Sequence, residues 1–526
     1  MRRIKHNAIL AITWLYLLSL VGCVYPDQYF GSTTTESPSL NRTIDIQTLT
    51  ITPSLAPDII QTHTADTPAV NSSTPTPQQT STFHATSHYG LEVEFNFNDH
   101  LLSVSEVINY INLTQESIDD LVLVVEPNRW QGGFTLDSLS WEDGEAIQDY
   151  LLQKDQMHIP MRQPLQPGEQ QGLSMDYQLV IPQIIQSTND QRALPYGYTA
   201  RQTNLVDWYP YIPAYRTGEG WLAHPNWVFG EHQVYDIADF DVKLTLTEPV
   251  QDLEIAAPAP VAREGESYTY HLESARTFAL SASTSYSVQT TTIDGVTIYS
   301  YSFPFDKSGG QEVLHSTSDA LQLYGDLFIP YPHTSLSVVE ADFLDGMEYD
   351  GLIFLSHGFY DLYDGTPKGY LTFIAAHETA HQWWYGLVGN DQALEPWLDE
   401  ALCTYMEEVF YEKIYPEQTQ TPDEPLVDWW WSYRVDYYAP SGWVNGSIYD
   451  YDSFRAYRDA VYLNGARFLD DLRNLIGDEV FFDFLRDYAS RNLYGIATTA
   501  SFFDILREHT SQNMDNLITE YFQPAK

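Results

Sequence analysis

Residues 377–381 read His377-Glu378-Thr379-Ala380-His381, and a second stretch reads Trp397-Leu398-Asp399-Glu400-Ala401-Leu402. The first is an H-E-x-x-H pattern. On a helix, residues four apart stand one above the other, so both imidazoles can reach one point in space. The segment 370–384 contains neither Pro nor Gly, which allows such a helix. Two imidazoles so placed make a metal site, and Glu378 between them can face a water on the metal and act as general base. A catalytic zinc site commonly takes three protein ligands and keeps one position open. Glu400 supplies the third. Gly386, Gly389, Asn390 and Asp391 lie between the two stretches and let the chain double back, so a second helix can bring Glu400 beside His377 and His381. The ligand set of two imidazoles and a carboxylate suits Zn2+, one ion.

This constellation resembles the gluzincins of the aminopeptidase N family. Glu400 lies nineteen residues beyond His381, Trp397 to Ala401 is close to that family's W-L-N-E-G pattern, and His381 to Gly386 is close to its H-Q-W-[FW]-x-G stretch. Asp345-Gly346-Met347-Glu348-Tyr349 stands where the family carries G-x-M-E-N. The resemblance therefore implies that Glu348 and Gly346 bind the substrate, with Glu348 pairing with its free α-amine, although Asp345 and Tyr349 depart from the pattern. Tyr462-Leu463-Asn464-Gly465 stands where the family carries Y-x-K-G, which implies that Tyr462 stabilises the oxyanion, with Asn464 in place of Lys. Family members also draw an amine-binding Gln or Glu from the β-rich domain, and Gln202 is a candidate counterpart. The likeness is strong over 343–480 and looser over the rest of 89–526.

The fold implied is α+β: a β-rich, saddle- or sandwich-like N-terminal domain over 89–252, then a thermolysin-like, mainly α catalytic domain over 253–526, with no large C-terminal helical domain. The residues agree independently. Leu91, Val93, Phe95 and Phe97 alternate with Glu92, Glu94 and Asn96, the period of a strand with one buried face. Apolar runs at 121–125, 177–181 and 240–246 repeat the signal, separated by turn formers such as Gly132-Gly133 and Pro167-Gly168. A helical stretch is expected near 311–327, and amphipathic segments at 466–475 and 480–488.

The N-terminus carries address information. Arg2, Arg3 and Lys5 precede an apolar run over 8–21 that ends in Leu20-Val21-Gly22-Cys23, which resembles a lipoprotein-type signal peptide (1–23) with Cys23 as the lipidated residue. Residues 24–88 are rich in Ser, Thr and Pro and read as a disordered stalk. An exported, surface-anchored protein is expected, held to the membrane through Cys23 alone, or secreted if Cys23 is incidental. The net charge of −47 opposes binding to nucleic acid. With only Cys23 and Cys403 there is no disulfide framework, and Cys403 reads as a small buried apolar residue. His357 and the Trp429-Trp430-Trp431 run read as loop and core.

The function expected is a zinc metallopeptidase, specifically an aminopeptidase acting on peptides with a free N-terminus, with Glu378 as base and Tyr462 at the oxyanion. An endopeptidase, a hydrolase of non-peptide substrates and a catalytically silent surface binding protein are the alternatives.

Overall fold

The computed structural model describes residues 86–184, 195–416, 419–421 and 424–524. The expected signal peptide, Cys23 and the stalk as far as residue 85 lie outside the described residues. No helix among the described residues is long and apolar enough to cross a membrane.

The alternation at the start of the β-rich region becomes the strand Ser87–Asn96, in which Leu91, Val93 and Phe95 are buried and Glu92 and Glu94 exposed. Phe97 falls outside it. The Asp99 amide donates to Asn96 Oδ1 at 3.1 Å, a side-chain turn that ends the strand. Ser87–Asn96 lies at the middle of a seven-stranded sheet. It pairs in parallel with Ala238–Leu246 and antiparallel with Leu101–Ile111.

This sheet continues past the boundary expected at 252. Ser267–Ala275 pairs with Ala238–Leu246, and Ala262–Glu264 pairs with Ser267–Ala275. Tyr268, Tyr270 and Leu272 are buried at alternate positions, so the pattern that defines the first domain simply goes on. A smaller sheet joins Thr203–Leu205 to Leu280–Ser283 and Glu254–Ala256. The β-rich region therefore closes at about 283.

A five-stranded sheet opens the second region, in the order Ser287–Ile293, Val296–Ser302, Ser335–Ala341, Leu352–Ser356 and Gly346–Tyr349. Its last member is an antiparallel edge strand that carries Glu348 opposite Ile353. The helix Lys307–Leu327 buries Val313, Ala320, Leu321 and Tyr324. From there to the end of the described chain the structure is mainly helical.

The helix Tyr370–Ala380 is buried from Leu371 to Ala380. A helix buried on every side runs through a core rather than over it. It stops at Ala380, short of the 384 that its composition allows. Tyr385 takes φ +136°, a conformation that favours glycine, and at Gly386 a Cβ would lie 2.8 Å from the Gln382 carbonyl oxygen. The single Tyr324 Oη proton is shared between the carbonyls of Ala376, at 3.3 Å, and Met406, at 3.0 Å. Met406 lies on the helix Trp397–Ile414, so one hydroxyl ties the two helices expected to share the metal.

Arg276 joins the β-rich region to the helical one. Its guanidinium donates to the carbonyls of Tyr385 (2.6 Å), Gly386 (3.0 Å), Tyr235 (2.9 Å) and Gly495 (2.9 Å). The backbone amides of Arg276 and Thr277 donate to Asp350 Oδ2 at 2.8 and 3.2 Å. Arg276 is buried, so its charge is balanced by these dipoles and by the Asp350 and Asp236 carboxylates. We expect Arg276→Ala to lower stability by about 3–5 kcal/mol, because it strands several buried carbonyls together with Asp350. Urea unfolding followed by tryptophan fluorescence measures this, and a loss under about 1 kcal/mol would show that water replaces the guanidinium.

Candidate active site

His377 sits on the last turn of Tyr370–Ala380, and His381 is the residue that ends it. The His381 amide still donates to the His377 carbonyl at 3.3 Å, so the i, i+4 stacking persists although the helix stops. His377 Nε2 and His381 Nε2 face each other at 3.2 Å. Glu400 Oε2 stands 3.3 Å from the first and 3.5 Å from the second. The intervening segment 381–396 folds the chain back, pinned where Gly389–Asn390 pairs with Ile496–Ala497.

The other face of each imidazole is spoken for. His377 Nδ1 lies 2.9 Å from Glu407 Oε1, and His381 Nδ1 lies 3.1 Å from the Trp384 carbonyl. Acceptors at Nδ1 place the proton there and leave the Nε2 lone pairs pointing at one another. Glu400 Oε2 is buried beside them without a hydrogen-bond partner. Three lone pairs converging on one buried point repel unless a cation stands between them. Burial pulls the His377 imidazole down, yet the Glu400 and Glu407 carboxylates outweigh it and hold it up to about 9. The surroundings are thus built for positive charge at this point. The donor set fits one zinc ion with three protein ligands and an open position.

Glu378 shares the burial of its neighbours, and its Oε2 has no hydrogen-bond partner. Burial pushes its carboxyl up to about 8; the His377 and His381 imidazoles pull against this and the Glu348 and Glu400 carboxylates add to it. A carboxyl tuned near neutrality can both take and return a proton. Gly346 is where Glu378 rests. A Cβ at residue 346 would lie 1.9 Å from Glu378 Oε1, so the expected substrate-site glycine makes room for the base.

Glu348 is buried on the edge strand, and its carboxylate falls within 4.8 Å of ligand atoms of Glu378 and His381. Gln392 Nε2 donates to Glu348 Oε1 and to Asp399 Oδ2, both at 3.2 Å. Gln382, next to His381, fixes the end of the same strand. Its Oε1 accepts from the Gly351 amide at 2.9 Å and its Nε2 donates to the Tyr349 carbonyl at 3.1 Å.

Tyr462 lies on a π-helical turn, Asp459–Leu463, a distortion common at functional sites. Its ring lies parallel to that of His377, with centroids 6.2 Å apart, and its hydroxyl donates to Glu400 Oε1. Gly465 lets the following helix come close, since a Cβ there would lie 2.4 Å from Ala401 Cβ.

Gln202 stands apart. It is held by Tyr286 (2.7 Å), Asn204 (3.2 Å) and the Asp342 amide (2.6 Å); these contacts spend it on the fold. Cys403 is buried and its thiol donates to the Trp384 carbonyl at 3.8 Å, outside the group of His377, His381 and Glu400. His357 pairs with Glu340, a structural use.

Sequence reasoning missed the carboxylate behind His377. Glu407 accepts from Trp430 Nε1 at 2.9 Å and from Arg434 Nε and Nη2, both at 3.0 Å. The available signal was its spacing of seven from Glu400, two turns along the same helix face. Gln392 was missed as well, for it forms part of no recognisable pattern; Asp399 stood inside the Trp397 to Ala401 pattern but was given no role.

Residues 312–521 match the Peptidase family M1 domain. Over this stretch the chain is similar to the aminopeptidase N-like gluzincins. The chain is 28% identical over 40% of its length to Aminopeptidase M1-B of Oryza sativa subsp. japonica, and 30% identical over 40% of its length to the thyrotropin-releasing hormone-degrading ectoenzyme of Homo sapiens. The match spans only 25% and 21% of those two proteins. A crystal structure of an M1 zinc metallopeptidase mutant from Deinococcus radiodurans superposes with a TM-score of 0.59 at 16% identity, covering 84% of this chain and 94% of that one. The two share a fold.

Two substitutions probe this geometry. Glu407→Gln should weaken zinc affinity about 10–100-fold, since it removes the charge that orients His377; competition with a chromogenic chelator reads this out, and unchanged affinity would make Glu407 a packing residue only. Gly346→Ala should displace the Glu378 carboxylate and cut turnover about 100-fold, with zinc content unchanged.

Proposed function

We propose that this chain is a zinc aminopeptidase that removes single residues from the free N-terminus of peptides. The observation that carries this reading is the placement of Glu348. It is a buried carboxylate on an edge strand, clustered with Glu378 and His381. A group there meets the α-ammonium of a substrate whose first peptide bond lies over Glu378. An internal peptide bond offers no such charge.

When bound, zinc supplies a Lewis acid that polarises the scissile carbonyl and makes water a stronger acid. Glu348 pairs with the substrate ammonium and fixes the register. Glu378 takes the proton of the attacking water and returns it to the leaving amine. Tyr462, now donating to Glu400, turns its hydroxyl to the developing oxyanion. Gly346 leaves Glu378 the space to do its work. His377 and Glu407 keep their pairing throughout.

A thermolysin-like catalytic domain, following a saddle- or sandwich-like N-terminal one, belongs to the same proposal. So does export with anchoring through Cys23, which rests on the sequence pattern of residues 1–23. A structure of the Deinococcus radiodurans mutant holds a Tyr-Ser-Ala substrate, in keeping with peptides as the substrate class here.

Paired aminoacyl-anilides, each beside its N-acetylated twin, test the reading. Cleavage of the free-amine compounds alone, abolished by chelation, is the expected result. Cleavage of both would make the protein an endopeptidase-type hydrolase, and cleavage of neither would favour a different substrate or a binding role. Glu348→Ala should cost about 10²–10³-fold in kcat/KM on free-amine substrates through loss of the charge pair. Tyr462→Phe should cost about 10²–10³-fold, expressed in kcat with KM little changed.

A further inference from the structure

A second group of metal-capable side chains lies in the β-rich region. Three segments meet there. Glu126 opens the short 3-10 turn Glu126–Arg129. Asp155 sits in the hairpin turn between Leu151–Gln153 and Gln156–Leu165. His232 lies in the loop before Ala238–Leu246. The Val125 amide donates to the Asp155 carbonyl at 2.6 Å, which fixes the first two segments together.

Glu126 is 2% exposed, His232 5% and Asp155 9%. One ligand-capable atom from each lies within 4.8 Å of the others. Arg129 pairs with Glu126 through Oε1. Glu126 Oε2 is left buried without a hydrogen-bond partner, and so is His232 Nε2. These two atoms stand 3.8 Å apart. That is too long for a hydrogen bond. It is slightly wider than the separation, about 3.3–3.6 Å, of two tetrahedral ligands each about 2.0–2.2 Å from a shared ion. Buried carboxylate and imidazole atoms left unpaired cost several kcal/mol of desolvation, so a fold that keeps them has a partner for them. The hydroxyls of Tyr196 and Tyr211 are also buried and unpartnered, and both feel the charge of Glu126. They can hold water on such an ion.

We infer that Glu126, Asp155 and His232 bind a second divalent cation of the transition-metal class, separate from the ion at His377, His381 and Glu400. Two carboxylates and one imidazole suit zinc or manganese better than calcium, which prefers an all-oxygen shell. The ion braces the 126–129 turn, the 151–165 hairpin and the 232 loop against one another. Arg129 neutralises the far oxygen of Glu126 and leaves the near one to the metal.

The test uses the full chain, stripped with chelator, reloaded with zinc alone or manganese alone, and desalted before metal is counted by mass spectrometry. The wild type should retain about two zinc ions and His232→Ala about one, with anilide cleavage preserved. His381→Ala should also retain about one, with cleavage lost. Zinc retained by His381→Ala should raise its Tm by several degrees, and the added double change His381→Ala/His232→Ala should erase that rise. Should His232→Ala fail to fold, Asp155→Asn serves in its place, and anomalous scattering from wild-type crystals locates the second ion directly. A wild type that holds one ion, or a His232→Ala protein that still holds two, would overturn the inference and leave ordered water as the partner of these atoms.

Discussion

A buried guanidinium sets the terms for the rest of this molecule. Arg276 leaves the last long strand of the β-rich region and spends its donors on carbonyls from both halves of the chain. Two of those carbonyls, of Tyr385 and Gly386, belong to the turn that directly follows His381. Tyr385 holds a backbone conformation that costs on the order of 1–3 kcal/mol outside glycine, and Arg276 is the group that stabilises it. At Gly389 a Cβ would lie 2.5 Å from the guanidinium carbon, so the chain has made room for this charge as well. The direction of His381 therefore depends on a residue about a hundred positions earlier in the sequence.

The zinc site extends the same logic of buried charge answered by placed dipoles. Each histidine is oriented from behind, one by a carboxylate and one by a carbonyl. The carboxylate, Glu407, is itself held by Arg434 and Trp430. Glu378 and Glu348 complete a pocket in which several carboxylates share a small volume. Such a pocket favours cations, which on the proposed reading are the metal at one end and the substrate ammonium at the other.

Much of the site was legible in the sequence because its parts are local. The spacing within His377–His381 is helical periodicity, and Glu400 lies on the next helix. The strand at 87–96 was legible for the same reason, a short-range alternation. What depended on distant partners was not. The seven-stranded sheet runs on past 252 because the strand 267–275 pairs with 238–246, a partner that local alternation does not reveal. Gln202 had the right residue type for an amine ligand, but its partners Tyr286 and Asp342 lie far along the chain. Glu407 is visible only to a reader who follows the face of the Glu400 helix two further turns, and Arg434 gives no sequence signal at all. Tyr462 was singled out by a motif alone, and its hydrogen bond to Glu400 could come only from coordinates.

The Arg276 joint also bears on what a protein engineer can borrow. Five residues of an H-E-x-x-H signature can be written onto any helix, but here the turn that aims the second histidine is secured from the end of a strand in the β-rich region. Grafting this centre onto a new scaffold means transplanting the strand that ends in Arg276, the carbonyl ring around it and Asp350 beneath. The portable unit is an interface, not a motif.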